Sequence, residues 1–446
     1  LIPSIDEVLK MIVRLKPVTL LLVIFLNLHE VSMAQTNRID LIRPDAPELA
    51  AYGSFDVGVR TLEVVDSNRV DVLNTPRGGA TAYYDRRLTL EVWYPAALPS
   101  GQNPGTHYQA VTRNPAIIAT LSGRAVRDAA PVSVAEPFPL VIISHGYPGN
   151  RYLLSHTGEN LASKGYVVVS IDHTDSTYDD QQAFPSTLYN RPLDQRFVLE
   201  EIVGMATGSG FLAGLVDAER TGIIGYSMGG YGLVNNLGGG YSESIVGSFM
   251  APPNELLYAH ATHNPDFRDG LDPRIKAGVA VAPWGMEAGF WDAEGLGGVT
   301  VPTFYIAGDA DSVAGYENGP REIWKQTVNS DRYLLTFKNA GHNAGAPIPL
   351  PQEIWESDDQ TGAGHYTDPV WDTVIMNNIM DHFVTAWFDR LLKGDESRQS
   401  YLEVVPDGAD AVYSERNGQL QDDHNYWPGF SSGTAVGLKL EHLAPE

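Results

Sequence analysis

A five-residue stretch, Gly225-Tyr226-Ser227-Met228-Gly229, constrains this chain more than any other. It has the spacing G-x-S-x-G. The residues before it, Arg220-Thr221-Gly222-Ile223-Ile224, read as a short buried strand, and residues 230–237 can open a helix. A strand that turns into a helix within so few residues leaves no room for side chains at the two flanking positions, which glycine satisfies. Such a turn lifts the serine hydroxyl off the end of the sheet and sets it against the free N–H groups of the helix N-terminus. Small residues cluster in many turns, so the motif gains meaning only from the rest of the chain.

That chain alternates short apolar runs with helical periodicity. Runs at 87–94, 140–144, 166–171, 277–282, 302–307 and 333–337 read as strands, residues 52–75 as one or two edge strands, and 436–440 as a last short one. Helical periodicity covers 153–164, 193–205 and, at greatest length, 374–392. Residues 97–136, rich in Gly, Pro, Asn and Ser, read as a long surface loop, and 174–191 as another. This alternation predicts an α/β fold: a mostly parallel central sheet covered by helices on both faces, with active residues at the carboxyl ends of strands. Two polar stretches, 238–274 and 344–370, interrupt it and read as cap-like insertions. One catalytic domain is expected over 35–395, with residues 396–446 a C-terminal extension packing on it.

The N-terminus carries a short basic region (Arg14, Lys16), an almost wholly apolar run at 18–28, and Ser32-Met33-Ala34. This is the pattern of a secretory signal with cleavage after Ala34, so a secreted or periplasmic enzyme without stable membrane insertion is expected, and residues 1–34 are set apart from the fold. A net charge of −25 argues against nucleic acid as a partner. With no cysteine, thiolate metal sites and cysteine nucleophiles are excluded.

A serine hydroxyl needs a base, and the base needs a group that holds its tautomer. His342, in Asn339-Ala340-Gly341-His342-Asn343, follows a strand and stands beside a glycine. Its strongest competitor is His145, which precedes the serine and is read as a substrate contact instead. His173, His260, His263 and His365 read as loop or rim residues, and His382 as structural. For the carboxylate, Asp309 and Asp311 both lie just past the 302–307 strand, and a turn of this kind often uses its first aspartate on its own backbone. The oxyanion needs fixed N–H donors. Met228, following the serine, supplies one, and the loop His145-Gly146-Tyr147-Pro148-Gly149 supplies the other, from Tyr147, because Pro148 has none.

Together these residues resemble the α/β-hydrolase superfamily over roughly residues 85–395, which implies Ser227, Asp311 and His342 as nucleophile, acid and base. Residues 87–96, Ser144-His145-Gly146, 161–168 and Gly225 to Gly230 are similar to the dienelactone-hydrolase-like and platelet-activating-factor-acetylhydrolase-like esterases. Ala282-Pro283-Trp284, 299–303 and Asp311-Ser312-Val313-Ala314 are similar to bacterial cutinases and polyester hydrolases. The latter resemblance implies that Tyr147 and Trp284 flank the acyl group. It implies a serine carboxylesterase (a secreted one, given the N-terminus) acting on a small-molecule or oligomeric ester, with no cofactor and no metal. A polyester hydrolase, a serine peptidase or amidase on the same fold, and a catalytically silent binding protein are the alternatives. Two insertions and the lack of cysteines set the chain apart from simple cutinases and favour soluble esters.

Overall fold

The structure is a computed structural model describing residues 37–446; the expected signal segment and its cleavage point lie outside them. Two long antiparallel strands come first, β1 (Asp56–Val70) and β2 (Tyr83–Ala97). A separate hairpin follows, β3 (Thr106–Val111) with β4 (Ile118–Gly123), and then two short strands, β5 (Val126–Arg127) and β6 (Ala130–Pro131). The alternating part runs β7 (Phe138–Ser144), α1 (Ser155–Ser163), β8 (Val167–Asp172), α2 (Phe184–Thr207), β9 (Val216–Tyr226), α3 (Met228–Asn236) and β10 (Ile275–Val281). It continues through β11 (Thr303–Gly308), β12 (Arg332–Phe337) and α4 (Thr373–Lys393). A small hairpin, β13 (Glu415–Arg416) and β14 (Gln419–Leu420), precedes β15 (Leu438–Leu443).

The large sheet has the order β15-β12-β11-β10-β9-β7-β8-β2-β1-β5. Its centre, β12 to β8, is parallel, and β2 and β15 close it in antiparallel pairing. Because side chains alternate along a strand, the continuous apolar run of β7 feeds two cores. Val141 and Ile143 pack with Leu161 of α1 and Phe383 and Trp387 of α4, whereas Leu140 and Ile142 pack with Leu199 of α2 and Leu233 of α3. This is the mostly parallel sheet, covered on both faces, that the alternation predicts, and it agrees with the α/β-hydrolase fold that the resemblance implies.

Three expectations need correction. Residues 97–136 are not a loop: alternation in β3 turns Tyr108 and Ala110 inward, and the Tyr108 hydroxyl receives a hydrogen bond from Trp93 Nε1 at 2.9 Å and donates to Glu159. The surrounding Gly, Pro and Asn mask that period. Helix α2 begins at Phe184 rather than 193, because Pro192 sits inside it and does not end it. The insertion at 238–274 is no cap over the serine. Its short helical turns pack Tyr241 and His260 against Tyr231, Phe290 and Phe267, and Arg77 from the β1–β2 connection donates to its Ala251 carbonyl at 2.9 Å. Residues 396–446 enter the same sheet through β15. No described helix is long and apolar enough to cross a membrane.

Candidate active site

Ser227 stands between β9 and α3 with φ +54° and ψ −111°, a strained conformation for a residue with a side chain. The surroundings enforce it. Ser227 N–H donates to the Val281 carbonyl at 2.9 Å, and its own carbonyl accepts from Tyr231 and Trp284 N–H groups at 3.0 and 3.2 Å. A Cβ on Gly229 would fall 1.9 Å from the Ser144 carbonyl oxygen. Gly229→Ala is therefore expected to cost about 3 kcal/mol or more in a thermal or denaturant melt. Gly247→Ala, where a Cβ meets nothing within 4 Å, should lie within about 1 kcal/mol of wild type.

His342, five residues past β12, directs Nε2 to Ser227 Oγ at 3.0 Å and Nδ1 to Asp311 Oδ2 at 2.8 Å. With Nδ1–H donating to the carboxylate, Nε2 keeps a free lone pair that faces the Ser227 hydroxyl. The other oxygen of Asp311 accepts the N–H groups of Val313 and Ala314 at 2.8 and 3.0 Å. Burial pushes the Asp311 carboxyl up, but the hydrogen bond and charge of His342, with these two N–H groups, outweigh it and hold it below the usual carboxylate range. Asp309 is exposed and accepts the Asn339 N–H from the loop after β12, rather than an N–H of its own turn as expected of the first aspartate. The His342 loop is fixed by Gly341 N–H to Asp368 at 2.6 Å and by Asn343, which accepts from Tyr226 Oη at 3.0 Å.

The loop after β7 lies against the serine: a Cβ on Gly146 would meet Ser227 Cβ at 3.2 Å. Met228 opens α3, so its N–H has no carbonyl within the helix to bond, and Tyr147 N–H has no backbone acceptor among the described residues. His145 is not a substrate contact. It is fully buried, donates from Nδ1 to the Gly146 carbonyl at 2.7 Å, and accepts the His173 N–H at Nε2 (3.2 Å). Arg191, buried in α2, adds its guanidinium to the same loop, donating to the His145 and Gly146 carbonyls and, at 2.6 Å, to Ser176 Oγ. In a planar trans peptide the carbonyl and N–H point opposite ways. Holding the Gly146 carbonyl toward Arg191 and His145 therefore turns the Tyr147 N–H away from them. No sequence signal marks Arg191; it falls in the stretch that reads as loop.

A pocket of about 460 Å³ opens at the serine, lined by Tyr147, Ser227, His342, Val313, Arg113 and His365 among others. Segment 361–369 forms one wall, so the second insertion borders the site that the first does not reach. Trp284 does not line this pocket. It packs edge-on against Phe184 at 5.3 Å, and Phe184 packs edge-on against Tyr147 at 5.0 Å, so the two aromatics singled out by resemblance are joined through a third. Among the described residues no cluster of His, Cys, Asp and Glu is arranged to hold a metal ion.

Residues 118–239 match the family described as PETase: PET hydrolase-like. Cutinase est2 of Thermobifida alba is 24% identical over 286 residues, 64% of this chain and 67% of that protein. Cutinase est1 of the same organism is 26% identical over 205 residues, covering 46% of this chain, and the chain spans about half (53%) of that relative's length. Bis(hydroxyethyl) terephthalate hydrolase of Streptomyces coelicolor is 24% identical over 214 residues, 48% of this chain and 53% of that protein. Among solved structures, a ferulic acid esterase from Streptomyces cinnamoneus superposes with a TM-score of 0.54 at 24% identity, over 78% of this chain and 94% of its own, and supports the fold. With its sheet order, its strand–turn–helix serine and these relatives, the chain has the α/β-hydrolase fold and is similar to bacterial cutinases and PET hydrolase-like proteins.

Proposed function

We propose that this chain is a secreted serine carboxylesterase. The observation that supports the reading most is the unbroken relay from Ser227 Oγ through His342 to Asp311, at 3.0 and 2.8 Å. Ser227 attacks the ester carbonyl as His342 Nε2 takes its proton. The tetrahedral oxyanion rests on the N–H groups of Tyr147 and Met228. His342 then returns the proton to the leaving alcohol, and water, activated by the same nitrogen, releases the acid from Ser227. Asp311 holds the tautomer and stabilises the imidazolium. No step calls on a cofactor.

The test is hydrolysis of 4-nitrophenyl esters from acetate to palmitate, beside 4-nitroanilides. Cleavage of esters with anilides untouched supports the esterase reading over a peptidase or amidase. Activity on neither, with no labelling by a fluorophosphonate, points to a silent binding protein. The polyester reading draws on the relatives' names; release of soluble acids from a polyester film at a rate near that for soluble esters would favour it.

Arg191 gives a sharper expectation. Arg191→Gln should lower kcat about 10²-fold with KM little changed, because one oxyanion donor loses its orientation while substrate contacts persist. Steady-state kinetics on one short ester decides it, and a rise in KM at unchanged kcat would count against the assignment.

A further inference from the structure

The pocket at Ser227 holds opposite charges in unequal states. Its carboxylates are committed. Asp368 accepts the N–H groups of Gly341, Val370 and Trp371 at 2.6, 2.8 and 2.9 Å. Asp311 is bound to His342 and two N–H groups, and nearby Asp359 accepts from Asn114 and Thr361. The guanidinium of Arg113 in the same pocket has no carboxylate within 4.0 Å and donates no hydrogen bond among the described residues. Its position is nevertheless built. Arg113 lies in the turn between β3 and β4, where its N–H donates to Tyr366 Oη at 3.1 Å and Asn114 Nδ2 donates to Asp359 at 3.1 Å. Its stem rests on Gly362, where a Cβ would come within 3.1 Å of Arg113 Cβ. The hairpin tip and the second insertion thus pin the backbone and stem of one exposed arginine in the lining of the serine pocket and leave its head unpaired among the described residues.

A free guanidinium prefers a planar anion that it can grip with two parallel N–H bonds. The chain as a whole, at −25, repels anions. That repulsion is screened within about 8 Å at physiological salt, so only a local cation can select one. We propose that Arg113 forms an anion subsite of the ester pocket, and that the substrates are esters carrying a free carboxylate, such as monoesters of dicarboxylic acids. This rests on the esterase reading above and narrows it.

The experiment compares an acid ester with a neutral partner of like length, mono-4-nitrophenyl glutarate against 4-nitrophenyl valerate, on wild type, Arg113→Ala and Arg113→Lys. A second pair, 4-carboxyphenyl valerate against phenyl valerate, places the charge on the alcohol side. The reading is the ratio of kcat/KM for acid over neutral ester. In at least one pair Arg113→Ala should lower it about 10- to 100-fold, mainly through KM, with Arg113→Lys retaining part of it. An unchanged ratio in both pairs overturns the subsite, including the case where the variant loses acid and neutral activity alike. If wild type cleaves none of these esters, the esterase reading fails separately. Calorimetry of monomethyl glutarate on Ser227→Ala, with and without Arg113→Ala, then judges the subsite alone. Loss of affinity in the double variant supports it, and equal affinity, or no binding to either, overturns it.

Discussion

Ser227→Ala is expected to lower kcat on short esters by on the order of 10⁴- to 10⁶-fold and to abolish fluorophosphonate labelling, while the melting temperature stays close to that of wild type. The size of the effect follows from the chemistry: without the hydroxyl no acyl-enzyme forms, and only the binding pocket and the two N–H donors remain to assist water. The small effect on stability follows from the packing. Ser227 is held by its backbone, through Val281, Tyr231 and Trp284, and among the described residues the hydroxyl's partner is His342 alone. Alanine tolerates φ +54° about as poorly as serine, so the strain is unchanged. Retained labelling in this variant would remove Ser227 from the chemistry.

The second large effect is on stability in acid. Five histidines, His145, His156, His173, His260 and His382, are each no more than 3% exposed. Burial pushes all five well below the ordinary histidine value, four of them to about 3. These are bases whose folded form resists the proton. Below about pH 6.5 the unfolded chain binds protons that the native chain refuses, so stability falls as pH falls toward 3 and is unaffected by them above 7. Three buried carboxyls act in the opposite sense: burial raises Asp381 to about 7 and lifts Glu159 and Asp172 as well, so the folded chain gains those protons first. Near pH 5 the balance is an excess of about two protons on the unfolded side, worth about 3 kcal/mol per pH unit, and it is smaller near pH 6.5 where the unfolded histidines are half protonated. Between pH 6.5 and 4.5 the melting temperature should therefore drop by about 5 °C. A melting temperature that is flat across that window would show that these rings are not held neutral.

How much the sequence shows depends on whether an element's signal is local. The strands β7, β8, β10 and β11 carry near-continuous apolar runs, and their burial on both faces follows from that alone. Ser227 follows a strand with a glycine two residues to either side, and His342 follows a strand next to Gly341, which is enough to find them. Asp311 against Asp309 is decided by a distance of two residues in a turn, where spacing alone is neutral and resemblance tips the balance. Other features depend on contacts remote in sequence. The β3–β4 hairpin is stabilised by Trp93 and Glu159, not by its own composition. Pro192 is tolerated because α2 packs along its length against α3 and β9. Arg191 and Arg113 gain their meaning from loops 45 and more residues away. His145 shows the opposite failure: it stands at a strand end beside the site, yet its ring turns inward to hold the loop backbone.

The pairing of β15 with β12 sets an order in time. Leu438 to Leu443 flank the strand that ends five residues before His342, and Lys338 N–H donates to the Gly437 carbonyl at 2.8 Å. At the usual pace of synthesis, about a hundred residues separate the base from this last strand, roughly 5–20 s of translation. During that interval Ser227, Asp311 and His342 have all been made, but the strand that pairs with β12 has not. Until that strand docks, β12 keeps an open edge, and the segment leading to His342 lacks the Lys338–Gly437 bond that ties its start to the C-terminal residues.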